Sequence, residues 1–115
     1  MSTASAVVSA ILALMLTFAA ARKLSHRSDV VASYARVGVP EDRLDLLAGI
    51  LLAGAGGLAL GLAWAPLGVA AGAALTLYFL LAVAAHIRAG DAANLPVPAV
   101  MLALAVAVLV TRIAA

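Results

Sequence analysis

The chain has no cysteine and few charged residues. Without cysteine it cannot form a disulfide, a dithiol relay, a thiolate metal site or covalently attached haem. Charged residues make up 10% of the 115 residues and hydrophobic residues 67%, whereas an ordinary soluble domain has about 25% charged residues. This leaves too little charge to coat a soluble globule. No basic run interleaved with aromatics indicates nucleic-acid binding either.

Four apolar stretches are each long enough to cross a bilayer, which takes roughly 17–25 helical residues. A lipid-exposed segment must satisfy its own backbone hydrogen bonds, so each stretch is predicted to be a helix. The first lacks the basic start of a signal peptide and is interpreted as a retained helix. We therefore predict an all-α, integral membrane four-helix bundle that forms one domain over residues 1–115. The predicted helices are 4–21, 44–64, 67–85 and 95–113, with a cytoplasmic connection at 22–43.

Basic residues are concentrated in two of the connections. The first connection carries five of them and the third carries Arg88, whereas only Arg112 lies on the other side. By the positive-inside rule, the first and third connections face the cytoplasm and both termini lie outside. The predicted location is the bacterial cytoplasmic membrane, with a multi-pass topology.

The first connection contains its own helical pattern. Val30, Val31, Tyr34 and Val37 form an apolar stripe at helical spacing. We predict a short helix lying at the membrane interface, capped by Ser28 or Asp29 and ended by Gly38.

Small residues recur every four positions on the second and third predicted helices. Such ridges mark close helix packing in lipid, either within one chain or between two copies. Packing within the chain is favoured, because a short turn already makes these helices antiparallel neighbours. The ridges consist of Gly49, Ala53, Gly57 and Gly61, and of Gly68, Gly72 and Thr76.

The end of the third helix offers the clearest chemical candidates. Tyr78, Ala82 and His86 share one helix face, with Tyr78 about 12 Å deeper in the membrane than His86. A hydroxyl and an imidazole in an apolar setting suit a lipophilic molecule with a polar head, such as a quinone. The alternative is a helix end that cations and lipid headgroups stabilise without any ligand. In that interpretation Asp91 pairs with Arg88 or Lys23.

Two further functions are disfavoured. Haem ligation by the two histidines is disfavoured because His26 lies in the first connection rather than on a membrane helix. A proton-coupled transporter is also disfavoured, because such proteins need a buried ionisable group. No carboxylate lies deep in an apolar stretch, and Asp45 comes closest, about one turn into the second helix.

With these residues assembled, the chain resembles the DoxX-like family of small four-helix membrane proteins. The segment "AVAAHIRAGD" is similar to the family's pattern at the end of the third helix, carried here by His86, Arg88, Gly90 and Asp91. Lys23 in "RKL" matches a lysine after the first helix. The segments "YARVGVPED" and "GILLAGAGGLALGL" fit the approach to the second helix and that helix itself. The chain departs from many relatives in having Leu51 and Leu52 where they have a glutamate.

The resemblance implies a bundle that contacts quinone or lipid and works with partner proteins, as in a thiosulfate:quinone oxidoreductase. Our leading hypothesis is a non-catalytic accessory or binding protein, not an enzyme on its own and without a metal or a covalently bound cofactor. The expected partners are membrane lipids, a membrane or redox protein, or a second copy of the chain. The alternatives are a quinone-reactive oxidoreductase subunit, in which His86 donates a hydrogen bond to a quinone carbonyl, and a small transporter. The predicted ligand contacts are His86, Arg88, Asp91, Lys23, Tyr34 and Tyr78.

Overall fold

The computed structural model describes residues 3–114, and the predicted all-α bundle is confirmed. The predicted domain also includes residues 1, 2 and 115, which lie outside the described residues. Two 3-10 turns, Glu41–Arg43 and Ala92–Asn94, come shortly before the third and the fifth α-helix. The α-helices are α1 (Thr3–Ser25), α2 (Ser28–Arg36), α3 (Leu44–Leu60), α4 (Ala65–Arg88) and α5 (Pro96–Ala114).

Two helices extend beyond their apolar stretches. α1 continues to Ser25 and α4 to Arg88, three or four residues past the predicted ends. The added residues include Arg22, Lys23 and His86, and cations are favoured in the last turn of a helix. α3 ends earlier than predicted, at Leu60, because the chain must turn before Trp64, which adopts an extended conformation ahead of α4.

Glycines end two helices at the same end of the bundle. Gly38 has φ +86°, and the N–H of Val39 donates to the carbonyl of Tyr34 at 2.9 Å. Gly90 has φ +67°, and the N–H of Asp91 donates to the carbonyl of His86 at 3.0 Å. Both arrangements are Schellman motifs. The predicted end of α2 at Gly38 is therefore confirmed.

The predicted cap of α2 was wrong. Arg27 occupies the N-cap position, and neither Ser28 nor Asp29 caps the helix, because both lie inside its first turn. Asp29 instead pairs with Arg27 at 3.4 Å. An acidic group in the first turn still meets the positive end of the helix.

α1, α3, α4 and α5 form a ring in which each helix packs on two neighbours. α1 contacts α3 and α5, and α4 contacts the same two helices. α1 and α4 both end where α2 lies, which we name the α2 end; the end with the α3–α4 turn is the turn end. The buried core runs along the axis and includes Leu12, Leu16, Leu51, Leu58, Leu75, Phe79, Met101 and Val108.

The outer surface of the ring is apolar. Large side chains such as Leu60, Leu77 and Leu81 are more than half exposed. α1, α4, α5 and α3 with its preceding turn are each long and apolar enough to cross a membrane. Exposed apolar side chains on such helices suit acyl chains rather than water.

Part of the small-residue ridge packs within the chain. A Cβ on Gly57 would meet that of Ala71 at 3.0 Å, and one on Gly61 would lie 2.5 Å from the Gly68 backbone. Gly49 has open space instead. Gly57 and Gly61 therefore mark close packing of α3 against α4 towards the turn end.

Arg112 is buried at the turn end rather than free at the surface. One Nη donates to the Gly61 carbonyl at 2.7 Å, and the other donates to Ser9 Oγ at 2.8 Å and the Leu58 carbonyl at 3.3 Å. The last carbonyls of a helix have no N–H partner within that helix. The guanidinium thus supplies hydrogen-bond donors to carbonyls at the C-terminus of α3. It also joins α5 to α1 and α3.

His26 links α1 to α3 at the α2 end. Its Nδ1 lies 3.0 Å from Glu41 Oε2, and its Nε2 lies 2.6 Å from Asp45 Oδ1. A neutral ring can donate from only one nitrogen, so two carboxylates favour the imidazolium. These hydrogen bonds, that to Asp45 above all, raise the pKa of His26 above its usual 6.5.

We expect the His26 link to stabilise the fold in a pH-dependent way. The raised pKa means that its contribution is fully present below about pH 6.5, down to where the carboxylates protonate, and is lost as the pH rises through the folded-state pKa. Side-chain NMR should show that Asp45→Asn lowers the pKa of His26 more than Glu41→Gln does. An equal pKa in wild type and both variants would contradict the link.

Candidate ligand-binding site

A cavity of about 540 Å³ lies at the α2 end, enclosed by α1, α2, α4 and α5. This volume is within the range of about 300–1,000 Å³ that holds one small ligand. Its deeper wall is apolar, with Leu14, Met15, Phe18 and Met101. Leu14 and Phe18 are 73% and 68% exposed, so the cavity also opens sideways onto the lipid-facing surface.

The lining becomes more polar towards α2. On α1 it passes from Leu14 through Phe18 to Arg22, a rise of about 12 Å. On α4 it passes from Tyr78 through Ala82 to His86 over the same distance. Because α1 and α4 are parallel, their polar ends lie together. The cavity therefore has an apolar part within the bundle and a polar part beneath α2.

Lys23 lies at the polar part and is buried, with only 3% of the residue exposed. Its Nζ lies 4.7 Å from the centre of the Tyr34 ring, which α2 carries over the end of α1. Such a cation–π contact contributes about 0.5–2 kcal/mol. No carboxylate of residues 3–114 forms an ion pair with Lys23. The sequence alone indicated a lysine at a wet helix end.

His86 is half-buried and lines the cavity. Its Nδ1 lies 2.7 Å from the carbonyl oxygen of Ala82, one turn earlier on α4. A carbonyl only accepts, so Nδ1 carries the hydrogen and donates it. In the neutral ring, Nε2 is then an acceptor. A neutral His86 can accept a hydrogen bond from a ligand hydroxyl, whereas donation to a quinone carbonyl requires the protonated ring.

Tyr78 and Phe79 form the back of the cavity on α4. Their ring centroids are 4.9 Å apart with an interplanar angle of 77°, an edge-to-face arrangement. Phe79 is buried in the core and Tyr78 is partly buried. The pair joins the cavity wall to the core.

Arg88 and Asp91 lie outside the cavity lining. Arg88 is exposed at the last turn of α4. The Asp91 carboxylate accepts hydrogen bonds from Asn94 Nδ2 at 3.0 and 3.1 Å, instead of pairing with Arg88 or Lys23. Of the six predicted ligand contacts, the cavity brings together Lys23, Tyr34, Tyr78 and His86.

The comparison with known families covers this whole site. The model of the DoxX-like family matches residues 7–108. The chain belongs to the DoxX-like family. Neither a curated protein nor a solved structure matches it. With four helices able to cross a membrane, this DoxX-like chain is a multi-pass membrane protein.

Sequence reasoning missed several lining residues of this DoxX-like chain. Arg22 and Asn94 were not among the predicted ligand contacts, yet both line the cavity. Ser33 and Met101 also contribute from α2 and α5. Spacing along one helix shows which residues share a face, but it does not show which faces of four separate helices converge.

Proposed function

We propose that this DoxX-like protein is a non-catalytic binding protein that holds one lipophilic molecule with a polar head, a quinone or a lipid. The cavity carries this proposal. Its wall is apolar along α1 and α5 and opens towards lipid, and its polar groups gather at one end. An apolar pocket with a few convergent polar groups is the usual form of a site for such ligands.

The polar part of the cavity is proposed to face the cytoplasm. Basic residues are concentrated at the α2 end, in the first and third connections, whereas Arg112 at the turn end is buried against backbone carbonyls. The positive-inside rule supports this orientation in a bacterial cytoplasmic membrane, with both termini outside. A ligand would then enter sideways from the inner leaflet.

His86 is the proposed hydrogen-bonding residue for the head, whereas Tyr78 lines the cavity about 12 Å deeper. With Nδ1 engaged by Ala82, neutral His86 accepts from a hydroxyl through Nε2. A hydroquinone offers such a hydroxyl, whereas a quinone does not. With a neutral His86, the geometry therefore favours the reduced form among quinones. An oxidoreductase subunit would use the same site, with its redox centre on a partner chain.

Native mass spectrometry of protein extracted in mild detergent tests this function. We expect one lipophilic molecule per chain. His86→Leu should lower its retention about fivefold, because one hydrogen bond contributes about 1 kcal/mol. Arg43→Met, an exposed change at the same end of the bundle, should leave retention unchanged. A bare chain under all mild extraction conditions would contradict the proposed function.

A further inference from the structure

The polar part of the cavity holds a positive charge that no described residue neutralises. Lys23 is only 3% exposed, and its ammonium contacts the face of the Tyr34 ring. An ammonium has three N–H donors, and a ring face satisfies them incompletely. Burying a charge is costly unless it is paired and hydrogen-bonded. Lys23 lines the cavity, so a ligand there can supply the missing partner.

The charges around Lys23 favour an anion. Arg22 adds a second cation to the lining, and no aspartate or glutamate belongs to it. Four of the chain's five acidic side chains have other partners. The fifth, Asp42, is exposed on the turn before α3. The engaged carboxylates are Asp29 with Arg27, Glu41 and Asp45 with His26, and Asp91 with Asn94.

We propose that the ligand is an anionic amphiphile, with a carboxylate or phosphate head on an apolar chain. Lys23 and Arg22 bind the oxyanion at the polar part of the cavity. The apolar chain of the ligand lies along Leu14 and Phe18 and leaves the cavity between the helices towards lipid. This inference rests on the proposed function and specifies the chemical class of its ligand. A neutral head, such as that of a quinone, would leave the Lys23 charge without a counter-ion.

Three probes with the same oleyl or oleoyl chain test the inference, each titrated into delipidated protein in a non-ionic detergent at about pH 8, where a carboxylic acid is ionised. Oleate and oleoyl-lysophosphatidate carry the two oxyanions, and oleyl alcohol carries none. We expect both anions to bind at least roughly tenfold more tightly than the alcohol, as hydrogen bonds to charged groups imply. The tighter anion identifies the head as carboxylate or phosphate.

Substitutions assign this preference to Lys23. Lys23→Met should reduce it severalfold, leaving only the contribution of Arg22, whereas Lys23→Arg should keep it. Arg36→Met, which removes an exposed charge at the same end, should also keep it. If Lys23→Met does not fold, comparing anion and alcohol binding in wild type and Lys23→Arg still tests the inference. Equal binding of alcohol and anions in wild type, or an undiminished preference in folded Lys23→Met, would overturn the inference but leave the proposed function standing. Binding of none of the probes would overturn both.

Discussion

Replacing Arg112 by methionine should lower the free energy of unfolding by about 2–4 kcal/mol. The guanidinium donates to the carbonyls of Gly61 and Leu58 and to the Ser9 hydroxyl. Methionine fills similar space but leaves these acceptors unsatisfied, and each buried unsatisfied group costs about 1–3 kcal/mol. Reversible unfolding in detergent, followed by circular dichroism, measures the loss.

A double-mutant cycle with Gly68 shows whether the loss arises from this contact. A Cβ on Gly68 would overlap the Arg112 guanidinium. Gly68→Ala should therefore be strongly destabilising in wild type and much less so beside Arg112→Met. Gly49→Ala, where a Cβ meets open space, is the matched control. Additive effects of the two substitutions would contradict the proposed role of Arg112 in fastening α5 to the end of α3.

Replacing Ala82 by phenylalanine should reduce ligand binding by roughly tenfold or more. Ala82 lines the cavity between Tyr78 and His86. Forcing a large side chain into space that a ligand occupies costs about 1–3 kcal/mol. Photolabelling with a diazirine-bearing single-chain amphiphile, supplied as both carboxylate and alcohol, measures the change in labelled protein.

The control for Ala82→Phe lies on the same helix. Ala84 is exposed on α4 and does not line the cavity. Ala84→Phe therefore adds the same side chain to the lipid-facing surface and should leave labelling at its wild-type level. Equal loss in the two variants would mean that bulk on α4, rather than occupation of the cavity, reduces binding.

The bundle could be predicted because membrane insertion is determined by local sequence. An apolar stretch of sufficient length must form a helix in lipid, whatever its neighbours are. The end of α2 was equally local, because Gly38 at φ +86° closes the helix with its own backbone. The N-cap residue of α2 was harder to predict, because Arg27, Ser28 and Asp29 are consecutive and only one of them occupies the N-cap position.

The candidate site was only partly predictable, because burial depends on how separate helices converge. Lys23 follows the first apolar stretch and Arg112 lies near the end of the fourth, so the sequence places both at helix ends. In the structure α2 covers Lys23, and α3 supplies carbonyls to Arg112. Tyr78 and His86 were identified because they share one face of one helix. Arg88 and Asp91 were grouped with them by sequence proximity, but the Gly90 turn places them outside the lining.

The most direct test of the central claim is a peptide map of the wild-type protein after photolabelling. The claim is that the cavity enclosed by α1, α2, α4 and α5 holds the lipophilic ligand. Labels should be concentrated on Leu14–Lys23 and Tyr78–His86, and should be lost in Ala82→Phe. Labels spread evenly over the exposed apolar faces, including Leu60 and Leu77 away from the cavity, would contradict it.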